Sequence, residues 1–66
     1  MTNSEIAAKL RDLAQEARML QQHLRQLLEP VSLQDPATAR GLEDAICELE
    51  KLAGKTETLA RRAEAQ

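Results

Sequence analysis

Along the first half of the chain the apolar residues Ile6, Leu10, Leu13, Ala17, Leu20, Leu24, Leu27 and Val31 recur at spacings that alternate between four and three. This is the repeat of about 3.5 residues that marks the seam of a left-handed coiled coil. Ala7, Ala14 and Leu28 lie beside that seam and widen it on one flank, as in a helix with more than one neighbour. The helix starts at a readable signal. Thr2 is placed to cap the free amides, Glu5 three residues later to reach back to it, and Met1 to staple onto Ile6. The spacing therefore predicts a first helix over about Asn3–Leu28.

Pro30 has no amide proton to give a helix and biases Glu29 away from helical geometry. Residues 29–35 are read as the connection, with Val31 and Leu33 plugging the end of the fold. Asp35-Pro36 restarts the chain as an N-cap followed by proline at the first helical position. The second helix, about Pro36–Ala63, carries Leu42, Ala45, Leu49, Leu52, Thr56, Leu59 and Ala63 at the same alternating spacing, with Ile46, Ala53 and Ala60 as its flanking row. Gly54 costs about 1 kcal/mol against alanine inside a helix. The repeat stays in phase through it, which favours one continuous helix.

A short loop between two seams makes the helices antiparallel neighbours. The expected fold class is all-α, an antiparallel two-helix hairpin of coiled-coil type in a single domain. Leu10, Leu13, Ala17, Leu20, Leu24, Leu42, Leu49, Leu52 and Leu59 are the expected buried set. Folding at the connection sets Arg25 against Glu43, Arg18 against Glu48 or Glu50, and Arg11 against Glu57. Exposed pairs of this kind contribute only about 0–1 kcal/mol each, yet they disfavour the wrong register.

With two helices there are more apolar rows than one hairpin can cover. A symmetric homodimer forming a four-helix bundle would bury the flanking residues Ala7, Ala14, Leu28, Ile46, Ala53 and Ala60 against their own copies. Size points the same way. A 66-residue chain buries only about 60% of its unfolded surface and is marginal as an isolated monomer. Its single cysteine, Cys47, excludes an internal disulfide, and with one histidine it cannot close a tetrahedral zinc shell.

Composition narrows the function classes further. The chain has no Phe, Tyr or Trp, and its net charge is −2. That charge is too small to draw the whole molecule onto nucleic acid or an anionic membrane. Neither a signal peptide nor an apolar run near the ~20 residues of a membrane span is evident. A lone thiol without an export signal fits a reducing cytoplasm.

No catalytic constellation emerges, and no cofactor is implied. His23 is the only histidine, and Asp44 with Glu48 reads as a solvated helix face with no apolar wall to raise a carboxyl pKa. Gly41 and Gly54 stand alone in helical pattern, so there is no phosphate-binding loop. The basic residues Lys9, Arg11, Lys55, Arg61 and Arg62 gather at the open end but are diluted by Glu5, Asp12, Glu57 and Glu64. Binding of another protein is the expected activity, through a helix face. Met19 is the one large apolar side chain of the first helix outside the seam and its flank. Around it Gln15, Arg18, Gln22, His23 and Gln26 form the expected partner contact. The outer face of the second helix, at Glu43, Asp44, Glu48 and Glu50, is strongly acidic and suits solvent.

In length and layout, and locally at Asp44-Ala45-Ile46-Cys47-Glu48, the chain resembles the Rop family of plasmid-encoded four-helix-bundle dimers that bind paired RNA loops. That resemblance implies RNA contact through Arg11, Gln15, Arg18, Gln22 and Arg25. This face lacks the aromatic residue such binding uses to stack an unpaired base. The chain is also similar in scale to the smallest type III secretion chaperones, helical hairpins that dock on a helical-repeat partner. A further likeness in size is to phage-encoded anti-activators, which bind and disable a bacterial regulator.

Overall fold

The computed structural model describes residues 1–66, which form two helices, α1 (Asn3–Gln34) and α2 (Pro36–Ala65), in an antiparallel hairpin about 49 Å long and 14 by 13 Å across. Thr2 caps α1 in extended geometry, its Oγ1 accepting the Glu5 amide at 3.1 Å. The Glu5 carboxylate takes the Thr2 hydroxyl rather than reaching the backbone. Met1 is largely exposed, so the expected staple onto Ile6 is absent.

The connection is much shorter than residues 29–35, because α1 runs on through Pro30 to Gln34. Proline inside a helix costs about 3 kcal/mol, mostly through a missing bond and a crowded carbonyl. Here Pro30 and Gln26, whose carbonyl loses its partner, are both exposed, so water can take the lost bond. Meanwhile Leu28 and Val31 on the inner side are half-buried against α2 and hold the last turns in place. Leu33 does not plug the end of the fold; it is 83% exposed.

Asp35 alone joins the helices. Its amide donates to the Val31 carbonyl at 2.7 Å, its carbonyl accepts from Ala39 at 3.1 Å, and its carboxylate accepts the Thr38 amide at 3.3 Å and the Thr38 hydroxyl. One residue thus terminates α1 and caps α2, while Pro36 opens α2 where no amide is needed. α2 continues unbroken through Gly54.

The seam between the helices is rotated by one row from the expected one. Ala7, Ala14 and Gln21 of α1 pack against Ala39, Ile46, Ala53 and Ala60 of α2, all buried, with Ala17 and Thr56 beside them. Leu10, Leu24, Leu42 and Leu49 are half-buried at the edge of this seam. Leu13, Leu20, Leu52 and Leu59, expected inside, are exposed. The residues expected to face a second subunit, Ala7, Ala14, Ile46, Ala53 and Ala60, with half-buried Leu28, are the hairpin's own interior. The physical reason is size, since alanine rows let two backbones approach while leucines would hold them apart.

Two polar groups lie in the seam. Gln21 Nε2 donates to the Ile46 carbonyl at 3.1 Å, and the Thr56 hydroxyl donates back to Leu52 within its own helix. No buried side-chain nitrogen or oxygen lacks a partner.

The shared cap makes stability depend on pH. Hydrogen bonds from the Thr38 hydroxyl, then from the Thr38 amide, hold the Asp35 carboxyl below its usual range. A depressed carboxylate pKa contributes stability that is present above the ordinary value of about 3.9 and is lost as pH falls through the folded one. Thermal melts followed by circular dichroism from pH 7 to pH 2 are expected to lose part of the Tm in that window. Asp35→Asn should flatten this loss while keeping the cap, and Asp35→Ala should lower the Tm throughout. Gly54→Ala acts in the opposite direction. A Cβ there meets nothing within 4 Å, so the variant should gain roughly 0.5–1 kcal/mol in urea denaturation.

Candidate protein-interaction surface

A helix advances about 100° per residue, so rows seven residues apart stay aligned along each helix. On one side of the seam lie Arg11, Arg18 and Arg25 of α1 and Glu43, Glu50, Glu57 and Glu64 of α2. Arg18 Nε and Nη2 both donate to Glu57 Oε1, at 3.0 and 2.5 Å, and Nη1 lies 3.5 Å from Glu50 Oε1. Arg11 pairs with Glu64. The hydrogen bond to Glu57, and then the charge of that carboxylate, raise the Arg18 pKa above its ordinary value. Arg11 therefore meets Glu64 rather than Glu57, one heptad further along than expected. Arg18 meets Glu50 as expected and takes Glu57 as well.

The opposite side carries no such closure. Leu13, Leu20 and Leu27 of α1 and Leu52 and Leu59 of α2 are each 50–55% exposed, with half-buried Ile6 and Ala45 completing the two rows. Because the helices are antiparallel and share one seam, both leucine rows border the same side of the hairpin. They form a continuous apolar strip, two helices wide, running most of its length. By contrast, no side chain larger than alanine is fully buried inside the hairpin. Most of the leucine content therefore lies at the edge of the fold or outside it.

The residues expected to contact a partner are only partly brought together. Met19, 50% exposed, points away from the seam with Gln26 two turns along, and Gln15, Gln22 and His23 are exposed around it. Arg18 is drawn off this group by its bonds to Glu57 and Glu50. Gln15 instead borders a shallow furrow of about 300 Å³ with Arg11, Ala14, Glu57 and Arg61. A wider hollow of about 690 Å³ lies over Gly54, lined by Lys51, Lys55, Glu57, Thr58, Leu59 and Arg61.

Neither hollow assembles reactive groups. His23 and Cys47 lie exposed on different helices, and no three His, Cys, Asp or Glu side chains converge as metal ligands. No helix is long and apolar enough to cross a membrane. The arrangement offers surface, charge and apolar contact, with no converging nucleophile, base or ligand set. The chain matches no family model, no curated protein and no solved structure.

The leucine strip had a signal in the sequence. Rows of opposite charge flank a coiled-coil seam, and the spacing of Arg11, Arg18 and Arg25 against Glu43, Glu50, Glu57 and Glu64 identifies the closed side. The leucines lie across the seam from it.

The ion pairs on the closed side can be checked by charge exchange. Arg18→Glu should lower the Tm by setting three carboxylates together, and the double variant Arg18→Glu/Glu57→Arg should recover part of the loss. Equal melting of the single and double variants would show that the pair does not set the closed side.

Proposed function

We propose that the chain is a non-catalytic protein-binding module, a helical hairpin that presents its leucine strip to another polypeptide. The observation that carries this reading is the distribution of apolar bulk: alanines fill the seam and five leucines stand half-exposed along one side. A contiguous apolar strip bordered by charge is the usual character of a helix-docking surface, and covering each half-exposed leucine contributes about half of the ~1.5–3 kcal/mol of full burial. Regulation or inhibition of a partner, or a chaperone-like adaptor role, are the activities such a module supports. Met19 with Gln15, Gln22, His23 and Gln26 lies on the outer side of α1 and remains free for a second contact when the strip is covered.

The charges argue against RNA as the ligand. Of the arginines that an RNA-binding face would use, Arg11 and Arg18 are already neutralised by Glu64, Glu57 and Glu50. Release of condensed counterions from a nucleic acid needs free cations, and the aromatic stacking groups are absent as well.

A pull-down with the wild-type chain and with Leu20→Glu/Leu52→Glu, each with and without nuclease, tests this reading. The expected result is a specific protein retained by the wild type after nuclease and lost from the variant, whose helicity circular dichroism shows to be intact. Retention of RNA that falls steeply with salt would reverse the assignment. Met19→Glu in the same assay should weaken capture only if the outer side of α1 is also in contact.

A further inference from the structure

A compact monomer of 7.3 kDa exposes about 4,200 Å². The hairpin exposes 5024 Å². The excess is roughly 800 Å², close to the ~800 Å² that each partner contributes to an interface of standard size. The apolar strip spans both helices, with one row of leucines on each.

The rims of the strip are charged. Lys9, Glu16 and His23 run along the α1 edge and Glu48, Lys55 and Arg62 along the α2 edge, all exposed and none in an ion pair within the chain. With a rise of about 1.5 Å per residue and a hairpin 49 Å long, Leu20 and Leu52 both lie near the midpoint. A two-fold axis crossing the strip at that level sets Leu20 on its own copy and Leu52 on its own copy. It also stacks Leu13 on Leu27 of the second copy and the small Ala45 on Leu59. The same axis brings Glu16 opposite His23 and Glu48 opposite Lys55, each twice by symmetry. The other closed arrangement, with both Asp35 connections at one end, sets Glu16 against Lys55 and His23 against Glu48 of the second copy, with Lys9 against Arg62 beyond them. The rims are thus complementary to a second copy in either orientation.

We infer that the leucine strip is covered by a second copy of this chain, giving a four-helix bundle. The inference rests on the proposed protein-binding role of the strip and names its occupant. The interface is isologous, as a two-fold dimer requires, and the outer side of α1 around Met19 stays open to solvent.

Sedimentation equilibrium at micromolar concentration should return twice the chain's 7.3 kDa. Leu20→Glu should weaken association by on the order of 100-fold, the effect of placing a charge at the centre of an interface. Cross-linking in a Cys47→Ser background checks that the strip is the interface. On mild oxidation a mixture of Leu20→Cys and Leu52→Cys chains should give disulfide-linked dimers, each position linked to its own copy when the connections lie at opposite ends, or Leu20→Cys to Leu52→Cys when they lie at one end. A dimer that forms neither link would overturn the strip as its interface. A monomer at these concentrations would overturn the inference. If that monomer still captured a protein through Leu20, the strip would remain a protein-binding surface with a foreign occupant.

Discussion

The close approach of two alanine rows is the constraint on which the rest of the molecule depends. Ala7 and Ala14 on α1 meet Ala53 and Ala60 on α2, and each is almost wholly buried. Such contacts bury little apolar area per residue, at about 25 cal/mol per Å², so the seam is thin. Its benefit is geometric, because small side chains let the helices pack closely along their length and leave no room for leucine between them. The leucines are displaced sideways, where they border the seam but cannot enter it.

Charge decides to which side they go. Arg11 and Arg18 reach across to Glu64, Glu57 and Glu50 and close one side of the hairpin. Pairs this exposed add little to stability, but they bias the rotation of each helix about its own axis. With arginine and glutamate occupying the closed side, the leucines of both helices face the other. Gln21 reinforces the same rotation. A glutamine directed into the seam must find a partner, and it finds one in the Ile46 carbonyl. The hairpin is therefore two-sided, held by charge on one flank and apolar on the other.

That asymmetry is the basis of the functional reading. Three features combine: a seam with no large side chain fully buried, a strip of half-exposed leucines, and a surface larger than a compact chain of this mass requires. Each leaves apolar surface in water that a second polypeptide would cover, and the proposal rests on that surface. Catalysis would need convergent polar groups in a shielded hollow, and the two hollows present are shallow and bordered mostly by surface charge. Affinity for another helix face requires only what the strip already has.

The alternation of three and four, the caps at Thr2 and Asp35, and the continuity of the repeat through Gly54 were legible in the residues, because each is a local property of one helix. They sufficed for two antiparallel helices and their register to within a heptad. Pro30 misled the reading of the connection, since its cost depends on whether the exposed turn can pass its lost bond to water, and that is a matter of environment. The choice of seam could not be made from spacing alone. Ile6, Leu10, Leu13, Ala17 and Ala7, Leu10, Ala14, Ala17 both alternate by four and three or three and four and share a row; the rows that differ lie about 100° apart, which turns the seam by about 50°. Hydrophobicity favours the first set, because its residues are larger. Only the packed pair of helices selects the second, because close approach rewards small residues on both partners at once, and neither helix carries that information by itself.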